Sequence, residues 1–391
     1  MRRVTALCGL YVAFAMPIAM LGVAWPDMRD MLSRSEAELG ILAGCYGAGR
    51  LSTAATSGVV LRAVSFGPAT VVLALVLAAS CAVVSSAPPW PALVAAVAAV
   101  GAATGVLESL GGRFLAVSGS VRAAGLVAGS YGVGATIGPV LVAVTDWRLA
   151  YVVATLATVA AGSAVAAPSM RWPGDLASHA PARVRDQSFT RRRSSSRAVI
   201  VVSLSLFIVF VGVEATAGQW TATFLEESRG LDRWLAGLAV SGFFAGVTVG
   251  RLLLGAIDVP QRVLPWLASL MVPLLAGVAV GPPRMAPAFV SLAGLALAPV
   301  FPMLMATTGR RVGEPQAGQV SGWQLIAGNT GATAMPAMTG LVVAWTSPEA
   351  PILVLIAAGV VGAALLTLTS DDRTRAAVSA RRVVWPRLQR R

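Results

Sequence analysis

The chain has no lysine, one histidine and three cysteines, and only 12% of its 391 residues are charged. Each shortage removes a class of function. The single histidine, His179, lies in an arginine-rich central stretch, so a histidine-based nucleophilic triad within the apolar part of the chain is excluded. Cys8, Cys45 and Cys81 fall in separate apolar runs without paired spacing. They read as small packing residues, not as a disulfide framework or a metal site. Without lysine there is no Walker-type phosphate loop, and neither HExxH nor CxxC occurs. No enzyme, cofactor or metal chemistry is implied.

What is abundant is apolar length. Hydrophobic residues make up 56% of the chain, mean hydropathy is +0.76, and there are 40 glycines. A soluble globule is excluded; small residues at this frequency suit helices packed closely in lipid. A hydrocarbon core takes about 20 apolar residues per helix. Twelve runs meet that need: 4–26, 39–61, 66–87, 91–112, 123–145, 148–167, 198–225, 235–257, 263–281, 285–308, 317–345 and 350–370. The expected fold is an all-α membrane protein of twelve transmembrane helices. The N-terminal run follows Arg2 and Arg3 but reaches Trp25–Pro26 without a small-residue cleavage site, and so reads as an uncleaved first span.

The net charge of +13 is carried entirely by arginine. With this loop assignment 22 of the 30 arginines fall on one side and six on the other, Arg50 and Arg251 lying within spans. That asymmetry places both termini and the central loop in the cytoplasm of a multi-pass cell-membrane protein. It is a topology signal and argues against a nucleic-acid partner. The polar stretch 168–197, with Arg191-Arg192-Arg193, cannot bury a core and reads as a basic linker. It divides an N-terminal six-helix bundle (1–167) from a C-terminal one (198–370), and a basic tail follows (371–391).

The two halves echo one another. Gly134-Ala135-Thr136-Ile137-Gly138-Pro139 in span five returns as Gly331-Ala332-Thr333-Ala334-Met335-Pro336 in span eleven, 197 residues later. Gly49-Arg50-Leu51 in span two returns as Gly250-Arg251-Leu252 in span eight, 201 residues later. Trp25 and Trp220 end spans one and seven at a similar offset. Three matches at nearly one offset point to a duplicated six-helix unit, a plan that places a solute site near the midplane between repeats.

Only two acids lie within spans, Glu108 and Glu214. A charge at mid-membrane is costly, about 2.5–3.5 kcal/mol on insertion scales, so both are candidates for proton coupling; a structural hydrogen bond between helices is the alternative. Burial disfavours the charged form of a carboxyl, which suits a group that takes up and returns protons. Glu108 and Arg113 are five residues apart, about 140° off a common face, so Glu108 needs another partner. Arg50 is too deep to snorkel and is expected to face a cavity or an acid that the sequence does not name. Arg251, near a helix end, is expected to snorkel; with Arg113, Gly138 and Pro139 it is a structural or gating candidate. Tyr46, Tyr131, Gln219, Trp220, Trp323, Gln324 and Asn329 could line a cavity for a polar solute, as stacking faces and hydrogen-bond partners. Interhelix or interfacial roles are equally open to them. Trp25, Trp90, Trp147 and Trp345 are expected in the interfacial belt.

From Glu214 through Trp220 to Gly250-Arg251-Leu252, the chain resembles the fucose-permease-like branch of the major facilitator superfamily. Leu297-Ala298-Pro299-Val300-Phe301-Pro302 with Gly322-Trp323-Gln324, and Ser130-Tyr131-Gly132-Val133-Gly134 ahead of Gly138-Pro139, are similar to the same branch. The resemblance implies a twelve-helix secondary transporter driven by proton symport, with Glu108 matching an intramembrane acid of span four. Those permeases also carry an acid in span one, where Leu21-Gly22-Val23-Ala24 has none. The stretch 58–67 is a reduced form of the superfamily's loop signature and lacks its Asp. The expected function is movement of a small polar solute, sugar-like or a related metabolite, by a monomer that uses protons. Proton-antiport efflux of a drug or secondary metabolite is the alternative, Gly134-x-x-x-Gly138-Pro139 partly matching an antiporter signature. A non-transporting sensor would need a large folded loop or tail.

Overall fold

The loss of apolar character sets where most helices end, and proline does so only in places, since Pro17, Pro26, Pro139, Pro273 and Pro336 lie inside helices. The computed structural model describes residues 2–60, 65–118, 120–167, 172, 197–256 and 261–367, which form helices and turns without a strand. The first half holds α1 (Arg2–Leu32), α2 (Leu39–Val60), α3 (Phe66–Ser85), α4 (Trp90–Ser118), α5 (Val121–Val144) and α6 (Trp147–Ala166). The second holds α7 (Arg197–Glu227), α8 (Arg233–Ala256), α9 (Leu264–Val280), α10 (Ala286–Leu297), α11 (Val300–Ala306), α12 (Thr308–Val312), α13 (Glu314–Trp345) and α14 (Ala350–Thr367). Among the described residues nine helices are long and apolar enough to cross a membrane. The apolar α9 has 17 residues. The long helices α2 and α13 pack on each other, and α13 carries Gln316, Gln324 and Asn329. The basic stretch 168–197, apart from Trp172 and Arg197, and the tail beyond Thr367 lie outside the described residues, as does most of the loop after α2.

Three spans differ most from the sequence reading, and in one of them α4 runs on to Ser118 where the reading ended at 112. The first helix runs through Pro26 to Leu32 and stops at Ser33, whose φ is 52°. The expected tenth span is interrupted by a turn at Ala298–Pro299, because proline brings no N–H to continue the helical ladder. Caps mark several starts. Ser120 accepts from the Ala123 amide at 3.2 Å, Asp146 from Arg148 at 3.1 Å and Asp232 from Leu235 at 2.8 Å.

Packing repeats between the halves. Helix α5 lies along α1 as α13 lies along α7, and α2 packs on α4 as α8 packs on α10. The repeated glycine motif explains the first correspondence. A Cβ at Gly134 would collide with the Val12 carbonyl of α1, and one at Gly331 with the Ile208 carbonyl of α7. Only glycine permits backbones to approach so closely. The halves meet along α5 with α8, α2 with α13, and α1 with α7.

Polar links join the halves toward the C-terminal end of α1. Asp27 pairs with Arg233 at 2.6 Å, and Arg29 pairs with both Glu36 and Glu227. Arg233 also donates to the Val142 and Thr145 carbonyls at the end of α5. The belt reading fails for Trp25 and Trp147. Both are buried: Trp25 donates to the Glu36 carbonyl at 3.1 Å and packs against Trp90 with ring centroids 6.1 Å apart. Trp345, 87% exposed, keeps an outward position.

Candidate solute and proton site

Arg50 and Glu108 are 58 residues apart, and the packing of α2 on α4 brings them together. The guanidinium holds the carboxylate through Nε to Oε2 at 3.0 Å and Nη2 to Oε1 and Oε2 at 2.9 and 2.7 Å. This is the bidentate fork that arginine forms with carboxylates. Glycines make it possible: a Cβ at Gly101 or Gly105 of α4 would strike the backbone of Tyr46 or Arg50. Glu108 thus finds its partner on another helix, not in Arg113, which is half-buried one turn beyond.

The second half carries a matching pair. Arg251 of α8 donates through Nη2 to Oε2 of Glu214 on α7 at 2.6 Å. The sequence reading had Arg251 snorkelling out of the bundle; the nearby α7 carboxylate captures it instead. The two arginines occupy corresponding places in the repeat, but their acids come from α4 and α7, which do not correspond. The second contact is also the thinner one. Arg251 engages a single carboxylate oxygen, and its Nε is buried without a hydrogen-bond partner among the described residues.

Tyr131 of α5 is coupled electrostatically to members of both pairs. It lies within electrostatic reach of Tyr46, Arg50, Glu108 and Glu214, and its ring is 5.8 Å from Phe14 of α1. Phe14 in turn meets Tyr11, with centroids 4.5 Å apart. Tyr11 also interacts electrostatically with Glu108. Sequence reasoning missed Tyr11, although a signal existed. The chain has four tyrosines, and Tyr11 lies inside the first span, as Tyr46 and Tyr131 lie inside theirs. Three of the four therefore gather around one ion pair. All four members of the two pairs keep partly accessible side chains, between 19% and 37%, although each sits in a membrane-length helix.

Other candidates fall in helix seams. Trp220 is fully buried and donates to the Pro336 carbonyl at 3.0 Å, fastening α7 to α13 rather than facing an open cavity. Gln219 is buried and donates to the Ile18 carbonyl at 2.8 Å, crossing from α7 to α1. Gln324 is also fully buried, accepting from Thr308 at 2.9 Å and donating to Ser203 at 2.7 Å. Replacing Gln324 with leucine is expected to remove one hydrogen bond each from Ser203 and Thr308, which keep Arg311 and the Leu304 carbonyl as partners, at about 0.5–1.5 kcal/mol per bond. A fall in unfolding temperature with unchanged solute affinity would mark that role; the reverse pattern would make Gln324 a solute ligand. Trp323 stands exposed beside it, and Asn329 is half-buried. Gly138 and Pro139 are buried, Gly138 lying against Met16 and Met20 of α1.

A family model described as the Major Facilitator Superfamily matches residues 7–324. The chain belongs to that superfamily. It is therefore a multi-pass membrane protein of a transporter family. A search of curated proteins returns no significant match. Among solved structures it is similar to a bacterial homologue of the human lysosomal transporter Spinster, in an inward-facing, occupied conformation. Identity is 14%, coverage 94% of this chain and 96% of that one, and TM-score 0.70. The nucleoside transporter NupG is similar at 13% identity over 94% and 98%, with TM-score 0.70. The human organic anion transporter TETRAN is similar at 16% over 93% and 99%, with TM-score 0.64. At these identities the likeness shows the superfamily fold.

Proposed function

We propose that this protein is a secondary active transporter that moves a small polar solute across the cell membrane by alternating access, coupled to proton symport. The observation that carries the reading is one acid–arginine pair in each half, both within membrane-length helices and both within reach of Tyr131. Ionisable groups are kept at such depth where a solute or ion must pass. The neighbours transport different cargoes by their names, so the fold leaves the solute open; the resemblance to sugar permeases favours a hydrophilic one. All twelve spans cross the membrane in this reading, as two six-helix bundles of a monomer with both termini and the basic linker cytoplasmic.

The α1–α7 seam supports alternating access. Thr216, Gln219, Thr223 and Glu226 each have a buried side-chain oxygen with no hydrogen-bond partner among the described residues. Their 3-4-3 spacing puts them on one face of α7, and the Gln219–Ile18 bond turns that face to α1. A seam with unpaired polar atoms is disfavoured while shut and would be hydrated once the halves part. With the Asp27–Arg233 and Arg29–Glu227 pairs at the same end, this supports a carrier closed on its outer side.

The coupling role falls first to Glu214, held by a single contact. A substrate screen by thermal shift on the purified protein, followed by uptake into proteoliposomes under an inward proton gradient, tests the proposal. Glu214→Gln is expected to insert and to fold with reduced stability, because Arg251 loses its carboxylate, yet abolish proton-driven accumulation. Undiminished accumulation in that variant would remove Glu214 from the coupling scheme.

A further inference from the structure

The members of an acid–arginine pair differ in what they can give up. A carboxylate can accept a proton and become neutral, whereas a guanidinium stays charged at any physiological pH. A pair buried in a bundle can open only if no charge is left uncompensated. A cationic solute that captured the carboxylate would strand the guanidinium, and away from the helix ends the described helices contain just two acids, Glu108 and Glu214. A neutral solute gives the pair no electrostatic reason to open. An anion arriving with one proton meets the requirement, because the proton neutralises the acid and the anion takes over the guanidinium.

The two pairs are unequally suited to this exchange. Glu108 holds Arg50 with both oxygens through three contacts. Glu214 holds Arg251 through one, and the buried Arg251 Nε lacks an acceptor among the described residues. Arg251 is also the more accessible arginine, its side chain 37% exposed against 22% for Arg50. Among the described residues, the charged or ionisable groups that interact with Glu214 are Arg251 from α8 and Tyr131 from α5.

We propose that the solute is a small organic anion whose carboxylate docks on Arg251 while a single proton neutralises Glu214. In this step the proton bonds to a Glu214 carboxylate oxygen and the Arg251 Nη2 to Glu214 Oε2 contact is released. The guanidinium then donates through Nη2 and Nε to the two oxygens of the solute. The charge of the site is the same before and after, and the reverse sequence unloads both. The inference rests on the transport reading above and narrows its cargo.

The test uses the full-length purified protein and sets of comparable skeleton that differ chiefly in charge: glucuronate, glucose and glucosamine; benzoate, benzyl alcohol and benzylamine; butyrate, butanol and butylamine. Thermal stabilisation is measured at neutral and at mildly acidic pH. Carboxylates are expected to stabilise the protein, more strongly in acid. Glu214→Gln, which mimics the protonated acid, is expected to keep that binding and lose its pH dependence. The double variant Glu214→Gln with Arg251→Gln carries no stranded charge, so it is expected to fold and lose carboxylate binding. Stabilisation by neutral or cationic members alone, by no member, or by carboxylates in the double variant would overturn the proposal. Carboxylate binding without proton-driven uptake into proteoliposomes would overturn the transport reading while upholding carboxylate docking on Arg251. Proton-driven uptake of a neutral member would do the opposite.

Discussion

Arg50→Ala is expected to lower both stability and flux more than any other single charge removal in the membrane-length helices. The variant leaves Glu108, one-quarter exposed at mid-bundle, without the fork that compensates it. Removing one partner of a buried pair costs about 3–5 kcal/mol, because the remaining charge stays desolvated and unpaired. A typical native state is held by about 5–15 kcal/mol, so the loss is a large share of the total. Glu108→Gln should restore much of the stability of the Arg50→Ala protein, since the stranded charge is then gone. It should not restore flux if the pair also shapes the solute site. The exposed Arg284 is the appropriate comparison. Arg229 is a poor one, because it donates to the Ala279 carbonyl at 2.7 Å and helps close the end of α9. Unfolding temperatures and proteoliposome flux for the three variants decide the matter. Equal, mild effects for Arg50→Ala and Arg284→Ala would show that the fork is dispensable.

The ease of reading the sequence varied with how local the determining interaction is. Membrane-length helices are local properties, set by runs of apolar residues, and they were legible. The duplication was legible because the glycine motif answers a local demand, contact between α5 and α1 and between α13 and α7, that recurs in both halves. The partner of Arg50 was not, because it depends on which face of α4 meets α2, a choice made by Gly101 and Gly105 through close backbone approach. Arg251 misled for a related reason. Counting residues from the helix end suggested escape to the interface, whereas the deciding fact was a carboxylate on α7, 37 positions away. Trp25 shows the converse failure. Its place near the end of an apolar run looked interfacial, but α1 continues through Pro26, and the chain folds back so that the Glu36 carbonyl accepts from the indole.

Gly331→Leu should be among the most damaging substitutions at any glycine of the C-terminal half, and Gly134→Leu should be comparable in the N-terminal half. The first side-chain carbon at either position would overlap a carbonyl oxygen of the facing helix, Ile208 in one case and Val12 in the other. A clash with a flexible side chain can relax by a rotamer change, but backbone can yield only if the helices separate. Overpacking a well-fitted interior costs about 1–3 kcal/mol even where side chains can adjust, and here they cannot. Helix association in a bilayer leans on close packing because lipid offers no hydrophobic drive to replace it. The expected result is a polydisperse or unrecoverable protein. Gly322→Leu on the same helix should be harmless, as nothing lies within 4 Å of a Cβ there. Detergent-solubilised yield and the size-exclusion profile separate the cases. Should Gly331→Leu purify as a single species with normal stability, the close α7–α13 contact would be wrong. The internal symmetry that makes Arg50 and Arg251 counterparts would then lose its structural basis, since the same glycine motif sets both halves.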